Sequence, residues 1–122
     1  MSADPRALVY LCTEDDPSGH QVCIAWCEAR AAAEDLAVGE VVVDVDANQP
    51  LAARPGWLRV AELIAAGGVG LVVTLNRGMV AHPPRAWERI VAGMDEQRVR
   101  LLTVGSPPSR LAPEVEPTGT AR

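Results

Sequence analysis

The sequence predicts an α/β fold, namely a three-layer domain in which helices flank a four-stranded, mainly parallel sheet in the order βαβαβαβ. Short runs of Val and Leu alternate with stretches in which apolar residues recur every three or four positions. The run 69–75 holds five large apolar side chains in seven positions without alternation, which is typical of a parallel strand buried on both faces. Strands that alternate with helices at short spacing indicate a parallel sheet with right-handed crossovers.

The first half of the chain predicts two strands around one helix. Residues 6–12 form the first strand, and a turn-forming, acidic stretch follows at 13–19. A helix over about 20–37 is indicated by an apolar stripe with spacings of three and four. The members of this stripe are Val22, Trp26, Ala29, Ala33 and Leu36. We expect Gly39 to end the helix, and residues 40–46 to form the second strand.

The second half predicts two helices and two strands. A helix over 55–66 begins at Pro55, because proline suits the first helical turn, and Gly67 stops it. The third strand is the run that ends at residue 75. We expect the third helix, 84–97, to begin at the double proline of residues 83 and 84, because prolines fit a helix start but not its interior. Its expected apolar face is Trp87, Ile90, Val91 and Met94. Residues 99–104 form the fourth strand.

Length and composition indicate one cytoplasmic domain. A 122-residue chain predicts one folded domain, 1–104, and the four prolines in 105–122 predict a disordered tail. A net charge of −5 argues against tight nonspecific nucleic-acid binding. All eleven basic residues are arginine. A preference for arginine over lysine is typical of proteins encoded by GC-rich bacterial genomes. No apolar run reaches membrane-spanning length, and the N-terminus has no apolar leader. Three cysteines without a leader fit a reduced cytoplasm.

Polar residues at the strand ends are the candidate functional groups, because ligands gather at the carboxyl ends of strands in α/β sheets. In chain order they are Thr13, Glu14, Asp15, Asp16, Asp44, Asp46, Arg54, Asn76 and Arg77. The acids could form a metal or phosphoacceptor site like that of a response-regulator receiver. Such a site needs a lysine, and the chain contains none. We therefore prefer to interpret the acids as solvated loop residues. Arginines at strand ends could stabilise a phosphoryl group. Taken singly, however, each is better explained as a surface charge or as a structural partner of nearby acids.

No metal or cofactor is expected. Cys23 and Cys27 lie one helical turn apart and could supply half a metal site. No second ligand pair has metal-like spacing, and His20 and His82 are isolated. We therefore interpret the two cysteines as small buried hydrophobic residues. The sequence contains neither a GxGxxG nor a Walker pattern, which argues against a nucleotide cofactor.

Four segments, in order, resemble the N-terminal catalytic domain of serine recombinases, the resolvase/invertase family. Residues 7–10 (ALVY) are similar to its opening strand, and residues 53–58 (ARPGWL) to its D-R-P-G helix start. Residues 70–77 (GLVVTLNR) resemble its V-V-V-x-x-L-D-R strand and turn, and residues 99–104 (VRLLTV) resemble its closing strand. The resemblance spans residues 7–104 and implies a resolvase-like α/β fold.

The resemblance also implies where the chemistry of the family would lie. Serine recombinases attack a DNA phosphodiester with a serine that is surrounded by arginines. In an ungapped alignment Cys12 stands at the position of an arginine and Glu14 at that of the serine. With a one-residue gap, Thr13 takes the hydroxyl position.

Further along the chain the resemblance preserves part of the arginine cluster. Arg54 and Arg77 match family arginines. Asn76 stands where the family has an aspartate, and Val80 where it has a second arginine. Either Asp44 or Asp46 could match an acidic residue at the end of the second strand.

These positions predict a stand-alone, catalytically degenerate recombinase-like domain. The expected role is a noncatalytic interaction or regulatory module, because a glutamate in the nucleophile position would repel a phosphodiester. A homodimer through the third helix, or another protein, is the expected partner, without membrane association. The dimerisation helix and DNA-binding domain of the family are not expected here. Two alternatives remain open. One is a weakly DNA-associated recombinase or accessory that holds phosphate with Arg54 and Arg77, and the other is a small-ligand or phosphate-binding domain.

Overall fold

Strands and helices alternate along the chain in the computed structural model, which describes residues 5–14, 17–81 and 83–105. The elements are β1 (Arg6–Cys12), α1 (Pro17–Ala32), β2 (Val38–Asp44), α2 (Pro55–Ala66), β3 (Val69–Thr74), α3 (Pro84–Glu96) and β4 (Arg100–Thr103). Short 3-10 helices lie at Leu51–Ala53 and Arg77–Met79. Asp15, Asp16, His82 and all of the expected tail except Gly105 lie outside the described residues. No helix in the described ranges is long and apolar enough to cross a membrane.

The sheet confirms the predicted α/β fold. Its strand order is β2-β1-β3-β4, and every neighbouring pair is parallel. The two central strands, β1 and β3, are buried along most of their length. A strand buried on both faces can be apolar throughout, which explains why these two strands lack alternation in the sequence.

Helices cover both faces of the sheet, so the molecule has three layers. Alternate side chains of the central strands point to opposite faces. Leu8, Tyr10 and Val72 pack with residues of α2 and α3, namely Val60, Trp87 and Met94. Val9, Leu11, Leu71 and Val73 pack with residues of α1, namely Cys27 and Ala31. One helix therefore covers one face and two helices cover the other.

Helix α1 is displaced from its predicted span, 20–37. It begins at Pro17 and ends at Ala32. Asp35 adopts a left-handed conformation, with φ 63°. The amides of Asp35 and Leu36 donate to the carbonyls of Ala32 and Ala31, which is the hydrogen-bond pattern of a Schellman motif. Aspartate tolerates this conformation, so the helix ends well before Gly39.

Three of the five residues in the predicted buried stripe of α1 are exposed, although Leu36 packs against the core. Val22 and Trp26 are 52% and 53% exposed, whereas Cys27 and Ala31 are fully buried and Cys23 is half-buried. The helix thus packs small residues, together with Ile24, against the sheet and turns Val22 and Trp26 outward. The interpretation of the two cysteines as packing residues agrees with this placement, and burial raises the pKa of the Cys27 thiol to about 12.

Strand β2 begins and ends two residues earlier than predicted. Gly39 lies inside it, where the register with β1 shifts between Ala7 and Leu8. A Cβ at Gly39 would lie 3.0 Å from the Cδ of Arg6, so glycine allows the two strands to approach. Val45 is 64% exposed beyond the strand end. The predicted starts of α2 at Pro55 and of α3 at Pro84 are confirmed.

Candidate functional site

Asp44 lies at the carboxyl end of β2 and joins three parts of the fold. Its carboxylate accepts hydrogen bonds from the Gly56 amide at 2.7 Å, the Trp57 amide at 3.0 Å and the Tyr10 hydroxyl at 2.8 Å. Helix α2 has no side-chain cap of its own at Arg54. The Asp44 carboxylate fills that role from the neighbouring strand, where the positive end of the helix dipole favours an anion.

Gly56 makes this arrangement possible. A Cβ at this position would lie 2.6–2.8 Å from the carboxylate atoms of Asp44. Any larger residue would push the carboxylate away from the first amides of α2. The Arg-Pro-Gly-Trp segment therefore has a structural explanation in each of its first three positions, since Pro55 starts the helix and Arg54 is held by the groups described next.

Arg54 is 3% exposed, and its guanidinium donates to four protein acceptors. Its Nε donates to the Gln49 carbonyl at 2.9 Å, and its Nη2 donates to the Ala47 carbonyl at 2.9 Å. Its Nη1 donates to the Met79 carbonyl at 2.6 Å and to the Tyr10 hydroxyl at 3.2 Å. Four of the five N–H groups of an arginine are thus directed at protein acceptors, from the connections after β2 and β3 and from β1.

Tyr10 links the two charged groups. Its hydroxyl donates to Asp44 and accepts from Arg54, and its ring meets the Trp57 ring edge-on at 5.0 Å between centroids. Burial is the main cause that raises the pKa of Tyr10 far above its ordinary value. The hydrogen bond from Arg54 acts against that rise, and the one to Asp44 adds to it. We call these three residues the Tyr10–Asp44–Arg54 cluster.

The end of β1 lies between this cluster and the apolar core. Cys12 is 5% exposed and packs in the same apolar cluster as Val80, and burial raises the pKa of its thiol. Thr13 is half-buried, and its amide donates to the Asp44 carbonyl at 2.9 Å. Glu14 is exposed. The structure therefore brings Thr13 next to the cluster and leaves Glu14 at the surface.

The end of β3 directs its polar residues elsewhere. Asn76 caps the 3-10 helix Arg77–Met79, where its Oδ1 accepts from the Met79 amide at 3.2 Å. The guanidinium of Arg77 is 5.5 Å from the ring centroid of Trp87 on α3, at one end of a cleft of about 240 Å³. Arg77 and Arg54 thus engage different partners, and Arg77 makes no ion pair with any residue in the described ranges.

The remaining acidic candidate, Asp46, belongs to a local turn. It is exposed, and its Oδ1 accepts from the Asn48 amide at 2.9 Å. Among the described residues, no group of three or more His, Cys, Asp and Glu side chains could hold a metal ion. The sequence identified Asp44 and Arg54 but missed Tyr10. A tyrosine in an otherwise apolar strand was the signal, because a buried phenol requires a hydrogen-bond partner.

Solved structures of other proteins share this fold, and two of them are catalytic domains. The C-terminal catalytic domain of ISC1926 TnpA, an IS607-like serine recombinase, matches with a TM-score of 0.69 at 19% identity, over 90% of this chain and 77% of that chain. The N-terminal catalytic domain of TP901-1 integrase matches with a TM-score of 0.67 at 13% identity, over 81% and 76%. No protein-family model and no curated protein matches the sequence.

The chain therefore has the fold of serine recombinase catalytic domains. The resemblance found in the four sequence segments is confirmed for the fold. At this level of identity the structural similarity establishes the architecture, and the activity has to be argued from the residues of this chain.

The close approach of Gly56 to Asp44 gives a prediction for stability. Gly56→Ala should lower the free energy of unfolding by about 2–3 kcal/mol, because the new methyl group displaces a buried carboxylate from its donors. Gly93→Ala is the matched control, since a Cβ at Gly93 meets nothing within 4 Å. It should stabilise α3 by about 0.5–1 kcal/mol. Urea unfolding of both variants measures the difference, and equal effects would contradict the role given to Gly56.

Tyr10 gives a prediction for pH dependence that is simple to follow, because it is the only tyrosine in the chain. Its folded-state pKa is raised, so its contribution to stability is fully present below about pH 10, the ordinary pKa of tyrosine. That contribution is lost as the pH rises above this value. Tyrosinate absorbance should therefore appear only with alkaline unfolding, whereas the chain in urea should ionise near pH 10. Ionisation of the folded chain near pH 10 would contradict the buried hydrogen-bonded phenol.

Proposed function

We propose that this chain is a serine-recombinase-like domain that does not cleave DNA and acts as an interaction or regulatory module. The observation that supports this most strongly is the state of Arg54. A guanidinium that stabilises a phosphoryl group needs N–H groups free to reach its oxygens. Those of Arg54 are buried and directed at three carbonyls and a phenol. Moving them to a phosphate would take the donors from three partly buried carbonyls, at a cost of up to about 1–3 kcal/mol each.

The positions that align with the missing family groups support the same proposal. Cys12 and Val80, which stand in place of arginines, are both buried in one apolar cluster. Glu14, which stands in place of the serine, is exposed and would bring a carboxylate toward a phosphodiester. The hydroxyl of Thr13 is the remaining candidate nucleophile, and Cys12, beside it, provides no positive charge to stabilise a developing phosphorane.

A supercoiled-plasmid nicking assay tests the proposal. We expect no nicked or linear product from this chain, under conditions in which an active serine recombinase cleaves its own site. Thr13→Ala is the matched variant, and it should be indistinguishable from the parent chain. Cleavage by the parent that is abolished in Thr13→Ala would show that a threonine has replaced the serine, and the noncatalytic proposal would fail.

DNA association without cleavage is a second candidate, and Arg77 is the observation that favours it. Its side chain is exposed, stacked on Trp87, and without a carboxylate partner in the described part of the chain. A cation–π interaction of this kind contributes about 0.5–1 kcal/mol and orients the guanidinium for an incoming anion. The small-ligand alternative has no comparable support, since Asp44 and Arg54 are already engaged by protein groups.

Fluorescence anisotropy with labelled duplex DNA tests this second candidate. Binding should be measurable at low salt, and Arg77→Ala should weaken it. The slope of log K against log salt should also become shallower, by about 0.9 for each phosphate that Arg77 neutralises. Arg59→Ala is the control, because Arg59 is an exposed arginine that pairs with Glu40 on the surface. Absence of binding at low salt, or equal weakening in the two variants, would rule out this second candidate.

A further inference from the structure

Over residues 22–32 the outer surface of α1 is mostly apolar, and no element among the described residues covers it. Val22 and Trp26 are about half exposed, and Ala25, Ala29 and Ala32 are exposed beside them. The opposite side of the helix packs on the sheet through Cys27 and Ala31. A helix that is apolar all round is normally buried all round, and exposed tryptophan is the residue type most enriched in binding hot spots.

We propose that this surface, the α1 face, binds the α1 face of a second copy of the chain in an antiparallel helix pair. The inference rests on the proposed interaction role and names its partner. The third helix, expected from the sequence to mediate self-association, uses its apolar residues differently, since Trp87 and Met94 are buried in the core and Ile90 and Val91 pack against it. Helix α2 also exposes an apolar residue, Leu58, but Arg59 and Glu62 are exposed beside it. Of the three helices, α1 has the exposed apolar surface with the fewest exposed charged residues.

The spacing of the α1 face suits a helix partner. Val22, Ala25, Ala29 and Ala32 recur every three or four residues, the period that keeps one seam against a facing helix. In an antiparallel pair centred between Ala25 and Ala29, Val22 of each copy lies opposite Ala32 of the other, so that a larger residue meets a smaller one at both ends. Trp26 lies on one flank of this seam, and two-fold symmetry brings the Trp26 side chains of the two copies to the same side.

Charge favours a second copy over a charged partner. Among the α1 residues whose side chains are described, Glu28 is the only exposed charged one. The net charge of −5 is therefore carried mostly by other surfaces, and the α1 face offers nothing to steer an oppositely charged protein or nucleic acid. In the antiparallel pair the two Glu28 carboxylates lie on the flank opposite Trp26 and repel each other weakly.

The size of the face predicts a weak dimer. A 16-residue helix is about 24 Å long and about 10–12 Å wide, so its interface strip is well below the roughly 800 Å² per partner of a standard interface. Self-association should therefore be reversible and dependent on concentration, with Trp26 as the main anchor.

Sedimentation equilibrium of the full chain from about 1 µM to about 1 mM tests the proposal. The parent chain should change from monomer to dimer across this range. Ala29→Glu, which places two carboxylates in the seam, should weaken association at least about tenfold. Leu58→Glu is the control, because Leu58 is 50% exposed on α2, and its association should equal that of the parent. Circular dichroism confirms that both variants are folded.

Glu28→Gln tests the antiparallel arrangement. Removing the like-charge pair should strengthen association about two- to fivefold. An unchanged constant would overturn the antiparallel pairing, and a parent chain that stays monomeric at the highest concentration would overturn the α1 dimer altogether. A dimer that survives Ala29→Glu would do the same. These outcomes are independent of the nicking assay, so a monomeric chain that does not cleave DNA would refute the dimer while retaining the noncatalytic role.

Discussion

The carboxylate of Asp44 is the group on which the carboxyl edge of the sheet depends. It is nearly fully buried, and burial of a carboxylate is costly unless donors surround it. The two amides that open α2 and the phenol of β1 supply those donors. One side chain thereby fixes the start of a helix, the end of its own strand and the rotamer of a core tyrosine. The position of Arg54, one residue before α2, follows from the same interaction.

The family-like Arg-Pro-Gly segment is explained by folding as much as by chemistry. Gly56 is needed for the approach of Asp44, and Pro55 occupies the first helical turn. Arg54 neutralises the buried cluster and satisfies carbonyls that would otherwise lack donors. These contacts contribute to the fold whether or not the chain acts on DNA. Similarity in such a motif is stronger support for the shared fold than for the shared reaction.

Sequence patterns were sufficient to predict the bounds of elements that an apolar run, a proline or a glycine delimits. The bounds of β1 and α2 and the start of α3 follow from apolar runs, prolines and a glycine stop. The prediction of the buried side of α1 failed because apolar residues lie on both sides of the helix. Periodicity therefore could not decide whether Trp26 or Cys27 faces the sheet. Cys27 and Ala31 face the central strands, because their small side chains allow the helix to pack closely on the sheet. No pattern in a single sequence predicts which side of α1 faces the sheet, because the answer depends on the space that the other elements leave.

For the candidate site, the sequence predicted the positions of the residues but not their hydrogen-bond partners. Strand ends indicated Asp44, Arg54 and Arg77, because their positions follow from the order of elements alone. Their partners depend on side-chain direction, which the sequence does not determine. Asp46 and Asp44 are two residues apart and both acidic, yet one makes a surface turn and the other a buried cap. The direction of Arg77 toward Trp87, rather than toward Arg54, is also a property of the folded loop.

The hydrogen bonds of Arg54 have a consequence for motion. Its guanidinium holds carbonyls at Ala47 and Gln49 in one connection and at Met79 in another. If either loop opened, the buried guanidinium would lose its acceptors in that loop, and the cation would be left short of hydrogen bonds. The two connections should thus exchange their amide protons as one cooperative unit. A partner or protease that reaches one of these loops would therefore encounter both loops closed or both open.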